Sequence, residues 1–348
     1  MDNRIEWIDI AKGIGIILVI AGHCFYLGYS YPIYAFHMPL FFFLSGLVYN
    51  DKKNTQFSSL LKSKARQILK PYVVFYICGL VVSLIVPLWR HLLISKTMLI
   101  ELYTTNSNNI NNSSIWYLIC LFVTFLLMYP LHQLMKRFND RWCLFFLTIV
   151  AILSLKIKLF LQWLSPEHIY LIEDRLPFKL DSAIIAVLFM YLGFRYKKII
   201  IEIVEKTNIV WLILSLVLFA VGSYLNGWCN INSLEFGKMP LLYYPTALLG
   251  IYATTSFCYL VSKSSFLFRT KNILLFYGIN SLVIFGLQSL FIRLYLLVFN
   301  KFFHLQMVLY ADNPIIHQVS SFLIVTFIIS PLVVFTFKEL RKWNINLL

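Results

Sequence analysis

Charged residues are scarce in this sequence of 348 residues, and acidic ones are the scarcest. Only 13% of the residues are charged and 60% are hydrophobic, with 15 acidic side chains against 30 Lys and Arg. The sequence also lacks any polar stretch long enough for a soluble domain, since the longest gaps between apolar segments are 51–69, 91–113 and 227–240. This composition excludes a soluble globular protein and indicates one integral membrane domain over residues 1–348.

Two further absences narrow the class of protein. The six cysteines include no CxxC pair, and five of them lie in or beside apolar segments, so we expect small hydrophobic residues and neither a disulfide framework nor a metal site. No small-residue cleavage site follows the first apolar run, which is preceded by Asp2 and Glu6. The first span is therefore expected to stay in the mature protein.

Apolar runs long enough to cross a bilayer recur along the chain. A transmembrane helix needs about 20 mostly apolar residues. The sequence predicts an all-α integral membrane protein with about ten transmembrane helices, near residues 10–28, 33–50, 70–90, 114–134, 142–162, 179–195, 208–226, 241–262, 273–299 and 314–337.

The basic residues are distributed unequally between the two sides of these spans. With a cytoplasmic N-terminus, 20 of the 30 Lys and Arg fall in inner segments and 6 in outer segments. This asymmetry follows the positive-inside rule and predicts that both termini are cytoplasmic. The net charge of +15 is then explained by topology, and no nucleic-acid partner is expected.

Two ionisable residues, Lys12 and His23, lie inside the first span in the run DIAKGIGIILVIAGH. Ionisable groups in a bilayer are costly and usually functional. Eleven helical steps of about 100° place both on one face, about 16 Å apart along the axis. Asp9 is within pairing distance of Lys12. That pair either neutralises a charge at the membrane edge or leaves a lysine that still donates to an anion.

A second histidine follows in the next span. The segment LGYSYP, 27–32, is expected to form the turn, with His23 before it and His37 after it at similar depth near the outer face. Pro39 suits the first turn of that span. His37 is either functional or an interfacial residue bonded to the backbone. A neutral imidazole near pH 7 can take a proton from a hydroxyl, so His23 is predicted to be a general base.

Basic residues crowd the entrance of the third span in LLKSKARQILKPY. Topology alone explains most of them. The alternative is a seat for the phosphates of a cytoplasmic cofactor, formed by Lys62, Lys64, Arg66 and Lys70.

Polar and aromatic residues also mark the outer side. Trp116 and Tyr117 are expected to be interface anchors, with substrate stacking as the alternative for Trp116. Asp181 is either a partner of His23 or a charge at a helix N-terminus. The outer loop 163–178 either contacts a polar acceptor or is simply solvated; it carries Glu167, His168, Glu173, Asp174 and Arg175. Three basic residues within spans are expected to snorkel outward, namely Lys156, Lys158 and Arg293.

The order of these elements resembles the acyltransferase-3 membrane family, and within it the fucose 4-O-acetylase-like sugar O-acetyltransferases. The resemblance spans the chain and is strongest over 4–50; it rests on Asp9, Lys12, His23, the run FHMPLFFFLSG, the basic stretch before Pro71-Tyr72, and Trp116-Tyr117-Leu118. It implies transfer of an acyl group, by default acetyl, from cytoplasmic acetyl-CoA to a sugar hydroxyl of a surface glycan or its lipid-linked precursor. The implied location is a bacterial inner or plasma membrane, with membrane lipids as further partners.

The resemblance also assigns residues. His23 matches the family's essential histidine, Lys12 its paired basic residue, and Lys64 with Arg66 the basic pair before the third span. Many relatives have arginine where this chain has Lys12 or Lys64, so bidentate phosphate binding would be lost. A histidine often found after Asn-Ser-Leu is replaced by Gln288. The predicted catalytic residues are His23, Lys12, Asp9 and His37, the acyl-CoA contacts Lys12, Lys64, Arg66 and Lys70, and the acceptor contacts Trp116 and Asp181.

Two other functions use similar residues. A transporter or flippase of a lipid-linked saccharide would also need intramembrane charges and aromatic side chains, but the sequence has no inverted repeat and no matched pair of broken spans. A glycan polymerase or ligase would need a large outer loop, whereas the outer loops here reach only about 25 residues.

Overall fold

Helices make up nearly all of the structure. The computed structural model describes residues 4–51, 56–85, 113–164, 175–303 and 313–342. The helices of these residues are α1 Glu6–Cys24, α2 Leu27–Leu47, α3 Phe57–Lys64, α4 Lys70–Ile85, α5 Trp116–Met135, α6 Asp140–Ser154, α7 Ile157–Leu164, α8 Leu180–Arg195, α9 Lys197–Glu205, α10 Ile209–Asn226, α11 Tyr243–Lys263, α12 Phe268–Ile279, α13 Ser281–Phe303, α14 Ile315–Ile324 and α15 Ser330–Lys342.

Short irregular elements join these helices. One π-helical turn, Ala65–Leu69, joins α3 to α4, and a second, Val325–Ile329, joins α14 to α15. Single 3-10 turns precede α5, α8 and α11, at Ser113–Ile115, Pro177–Lys179 and Pro240–Leu242. A small antiparallel hairpin, β1 Cys229–Asn230 and β2 Glu235–Phe236, pairs Cys229 with Phe236 and Asn230 with Glu235.

Seven helical segments among the described residues are long and apolar enough to cross a membrane: Glu6–Cys24, Phe57–Leu84, Trp116–Met135, Pro177–Arg195, Ile209–Asn226, Ser281–Phe303 and Ile315–Leu340. An eighth span results if α6 and α7, bent by 52°, are counted together. Two further spans predicted from the sequence, 33–50 and 241–262, coincide with α2 and α11. Each of these helices is 21 residues long, and neither is among the seven segments named above. The chain is thus an all-α, multi-pass membrane protein, and the count of ten and the orientation stay predictions.

The link between α1 and α2 is shorter than the sequence predicts. We expected a turn over 27–32, but α2 already begins at Leu27, and Pro39 lies inside the helix rather than in its first turn. The Gln318 side chain accepts a hydrogen bond from the Tyr26 backbone N–H at 2.8 Å, so this N–H in the short link has a partner. Gly, Ser and Pro favour turns locally, whereas packed membrane helices tolerate proline because neighbouring groups satisfy the freed backbone.

Contacts divide the chain into two compact units, each discontinuous in sequence. Unit 1 comprises Met1–Phe41, Lys198–Trp228 and Pro245–Leu348. Its central helix is α1, which packs on α12, α13 and α14. Glycines let the backbones of α1 and α12 touch: a Cβ on Gly278 would lie 1.8 Å from the Asp9 carbonyl oxygen, and one on Gly13 would lie 2.1 Å from that of Leu274. Such small-residue contacts are a common way to pack membrane helices.

Unit 2 comprises Phe42–Lys197 and Cys229–Tyr244. Here α5 packs on α8 and α3, and α6 also packs on α8. Close backbone approach recurs, because a Cβ on Gly46 would lie 2.0 Å from the Met190 carbonyl oxygen. The β-hairpin is tied to the start of α8 by the Ser182 hydroxyl, which donates to the Ile231 carbonyl at 3.0 Å.

Replacing Gly278 with alanine should destabilise unit 1 by about 1–3 kcal/mol, the usual cost of overpacking. The reason is that the new methyl group meets backbone, which cannot move aside without separating α1 from α12. Thermal unfolding in detergent measures the effect. Gly22→Ala is the matched control, because its Cβ would meet only the Tyr34 ring, at 3.3 Å. Equal losses in the two variants would contradict this account.

The orientation predicted from charge can be tested with paired fusions. Green fluorescent protein fused to the C-terminus should fluoresce, whereas alkaline phosphatase fused there should be inactive, because a cytoplasmic end permits only the first. The same two reporters inserted after Asn232, between β1 and β2, should give the opposite pattern. Active phosphatase at the C-terminus would reverse the assignment.

Candidate functional site

His23 lies in the last turn of α1, one residue before the helix ends at Cys24. The residue is half-buried and lies among groups of unit 1. His37 and Arg293 are close enough to His23 to act on it electrostatically. The structure therefore brings together the two histidines that the sequence placed on either side of a hairpin, together with a cation from α13.

The second histidine, His37, is buried and oriented by the helix that carries it. Its Nδ1 lies 2.7 Å from the Ile33 carbonyl oxygen. A carbonyl oxygen only accepts, so Nδ1 carries the proton and Nε2 has the lone pair. The Tyr34 ring packs edge-on against His37, with centroids 5.1 Å apart, and its hydroxyl donates to the Gly22 carbonyl at 3.0 Å. Tyr34 thus contacts one histidine and the residue preceding the other.

Arg293 of α13 is half-buried beside α1, on which its helix packs. The Nε atom of its guanidinium is shielded from solvent, and its charge acts on His23. Its outward snorkelling stays a prediction. Arginine is well suited to such a place, because its charge persists when partly dehydrated.

Lys12 is paired at the opposite end of α1. Its Nζ donates to Asp9 Oδ1 at 3.1 Å, which confirms the predicted pair. Arg4 also donates to the Asp9 carboxylate, and this hydrogen bond raises the pKa of Arg4 above its ordinary value. Nearby, Lys271 of α12 donates to Glu6 at 3.4 Å. The cluster around Asp9 therefore keeps a net positive charge with Lys12 half-buried inside it.

The three basic residues of unit 2 that were predicted to contact acyl-CoA lie in different environments. Lys64 is half-buried, with its Nζ 4.0 Å from the centroid of the Phe125 ring and 3.3 Å from Gln67 Oε1. Cation–π contacts of this kind stabilise a lysine that has lost part of its hydration. Arg66 and Lys70 are exposed. Lys64 ends α3 and Arg66 lies in the π-helical turn that follows, two residues on, where side chains do not share a face.

Trp116 and Tyr117 are buried, which corrects their prediction as interface anchors. They are only 7% and 6% exposed. Trp116 faces Lys179, whose Nζ lies 5.9 Å from the indole centroid, and Tyr117 packs on Phe42, with ring centroids 5.0 Å apart. Because α5 packs on α8 within unit 2, these rings face protein rather than the membrane interface.

Asp181 pairs with Arg175. Its carboxylate is fully buried and accepts from the Arg175 guanidinium at 2.7 and 3.0 Å. It also accepts backbone N–H groups of Ser182 and Leu176, at 2.6 and 3.2 Å. This is the geometry of a charge at a helix N-terminus, one of the two predicted readings. Four other predicted loop residues lie outside the described part of the chain, namely Glu167, His168, Glu173 and Asp174.

Lys179 was not singled out from the sequence. Its side chain is 1% exposed, and both it and Phe178 have left-handed backbone angles, with φ of 57° and 54°. Two successive non-glycine residues in this region are strained and are held only by the surrounding structure. No local signal reveals this. Arg293, in contrast, could have been ranked with Lys12 and His23, because all three are ionisable residues within an apolar span.

The described residues include no group of three or more His, Cys, Asp or Glu that could hold a metal ion. Comparison with known proteins identifies the family instead. The model of the acyltransferase domain of the acyltransferase-3 family matches residues 5–335, nearly the whole chain. None of the curated proteins searched matches the chain. This match agrees with the multi-pass helical architecture and with the ionisable residues on α1. The chain belongs to the acyltransferase-3 family of membrane acyltransferases.

Proposed function

We propose that the protein is an O-acetyltransferase that moves an acetyl group from cytoplasmic acetyl-CoA to a sugar hydroxyl of a surface glycan or its lipid-linked precursor. The observation that carries this proposal is the arrangement on α1. A histidine grouped with His37 and Arg293 lies at one end, and Lys12 with its pair Asp9 lies at the other. About 16 Å of helix separates Lys12 from His23, a distance of the same order as the extended arm of coenzyme A.

In the proposed reaction, His23 acts as the general base. Its imidazole takes the proton of the acceptor hydroxyl while the hydroxyl oxygen attacks the thioester carbonyl. The resulting tetrahedral intermediate collapses, the C–S bond breaks, and the coenzyme A thiolate leaves with the proton from the imidazolium. The product is an acetyl ester, and His23 returns to its neutral form.

The neighbours of His23 support this role in two ways. The Arg293 guanidinium is the positive charge positioned to stabilise the oxyanion of the tetrahedral intermediate, which is commonly the largest contribution to such catalysis. His37 has its tautomer fixed by the bond between Nδ1 and the Ile33 carbonyl, and it is close enough to His23 to act on it electrostatically. We assign His37 a positioning role beside the base.

The phosphates of acetyl-CoA are proposed to bind basic residues on the cytoplasmic side. In unit 1 the candidate is Lys12, which keeps donor capacity because an ammonium has three N–H groups and the bond to Asp9 uses one. In unit 2 the candidates are Lys64, Arg66 and Lys70. The partial burial of Lys64 over Phe125 favours a specific contact, whereas the exposed Arg66 and Lys70 favour attraction of the anion from solution.

The acceptor-side residues of unit 2 are proposed to act indirectly. Trp116 and Asp181 are buried and contact Lys179 and Arg175. Side chains so enclosed are suited to holding neighbouring cations in place rather than to touching a sugar. We propose that they position Lys179.

His23→Ala should abolish acetyl transfer, because general-base catalysis contributes about 10²–10⁴-fold and no other group would take the proton. The measurement is the O-acetyl content of surface polysaccharide, by NMR, in a deletion strain that produces either the wild type or the variant. His317→Ala, a half-exposed histidine on α14, is the matched control and should keep acetylation. Near-normal acetylation with His23→Ala would reject the assignment, and loss of surface glycan without loss of acetyl groups would favour transport.

Lys12→Ala should raise the KM for acetyl-CoA about tenfold with little change in kcat, since one charge-assisted hydrogen bond to a phosphate is lost. Purified protein in lipid nanodiscs and radiolabelled acetyl-CoA provide the measurement. Lys198→Ala removes an exposed lysine of α9 and should leave KM unchanged. The donor-binding role of Lys12 is wrong if both variants have the KM of the wild type.

A further inference from the structure

Unit 1 contains an open cavity of about 380 Å³ that has no part in the roles proposed above for His23 and His37. Its lining residues are Leu27, Gly28, Tyr31, Gly227 and Trp228. These residues come from the first turns of α2 and from the segment that follows α10, so the cavity lies between the start of one helix and the end of another. Its size falls within the range of about 300–1,000 Å³ that is common for small-molecule sites.

The lining of this cavity is uncharged and aromatic. Each of the five lining residues is neutral, and two of them, Tyr31 and Trp228, have rings that carry a hydroxyl or an indole N–H. Both are half-buried, so part of each ring faces the open space. Aromatic rings with a polar edge suit a ligand that has both an apolar face and hydroxyl groups. A neutral sugar ring has this character, whereas no cation to bind a phosphate or a carboxylate is among the described lining residues.

The cavity is connected to the two histidines through Tyr34. Its ring centroid lies 4.7 Å from that of Trp228 and 5.1 Å from that of His37. The hydroxyl of Tyr34 donates to the carbonyl of Gly22, the residue before His23. One side chain therefore contacts the cavity wall, one histidine and the backbone next to the other. The Tyr34 side chain thus lies between Trp228 of the cavity wall and His37.

A glycine keeps one wall of the cavity open. Gly227 has φ of 73° and ψ of −142°, a combination that side chains rarely adopt. A Cβ built on Gly227 would meet no atom within 4 Å, so the space next to this backbone is empty. The glycine is therefore required by its backbone angles and not by crowding, and it leaves room for a ligand to approach the main chain.

We propose that this cavity, lined by Tyr31 and Trp228, binds a neutral sugar ring of the acceptor, with Tyr34 between the ring and His37. The proposal rests on the function proposed above. It adds two points: which residues contact the acceptor, and that the sugar ring they bind is uncharged. The described lining residues carry no charge, which favours a neutral sugar over an anionic headgroup.

The test is binding of simple sugars to wild-type protein in lipid nanodiscs free of sugar-based detergent. Saturation-transfer NMR would use the methyl glycosides of glucose, galactose, fucose and N-acetylglucosamine as probes. We expect transfer to the ring protons of at least one glycoside. Trp228→Leu should abolish that signal, Trp228→Phe should retain it, and the control Tyr224→Leu, an aromatic residue 76% exposed on α10, should leave it unchanged.

Enzyme kinetics give a second readout on the same variants. With native glycan as acceptor, Trp228→Leu should raise the acceptor KM about tenfold and change the KM for acetyl-CoA less than about twofold, a tenfold change being about 1.4 kcal/mol. Absence of glycoside binding to the wild type, or equal binding by Trp228→Leu, would overturn the sugar assignment, as would displacement of the probe by lipid alone. Failure of the proposed function looks different, because the wild type would then bind a glycoside and transfer no acetyl group to it.

Discussion

Backbone contact between α1 and α12 holds the candidate residues of unit 1 in place. Gly278 meets the Asp9 carbonyl, and Gly13 meets that of Leu274. No side chain fits between the helices at these points, so α1 can neither rotate nor slide without breaking the contact. Asp9 and Lys12 lie at this contact and His23 lies three turns further along the same helix. The orientation of the ionisable face of α1 therefore depends on two glycines that take no part in chemistry.

The C-terminal end of α1 depends on different contacts. The short link to α2 is held by Gln318, which accepts from the Tyr26 backbone, and Tyr34 closes the hairpin by donating to the Gly22 carbonyl. These hydrogen bonds fix where α2 begins and hence where His37 and Tyr31 lie. Arg293 lies on α13, which packs on α1 through contacts other than these hydrogen bonds, and its charge acts on His23. Residues from distant parts of the sequence thus converge on His23.

Much of this arrangement could be predicted from the sequence because it follows from local rules. Hydropathy located most of the helices, spacing along α1 predicted the pair of Asp9 and Lys12, and the order of the first two spans predicted that His23 and His37 lie close together. The start of α2 could not be predicted, because it depends on Gln318, 292 residues away from Tyr26.

The burial of Trp116 and Tyr117 and the proximity of Arg293 to His23 likewise depend on which helices pack together. The strained backbone at Lys179 has no sequence signal at all, since neither Phe178 nor Lys179 favours left-handed angles. Where local chemistry and tertiary packing disagreed, packing decided the outcome.

The rigid spacing along α1 has a consequence for the choice of donor. The two glycine contacts fix the N-terminal half of this helix, so Lys12 and His23 stay about 16 Å apart along its axis. If Lys12 binds the donor and His23 is the base, as proposed above, the donor is selected by the length of the arm between its anionic group and its thioester carbon. Shorter activated acetyl compounds would then not reach His23, so the helix would select for the length of the carrier.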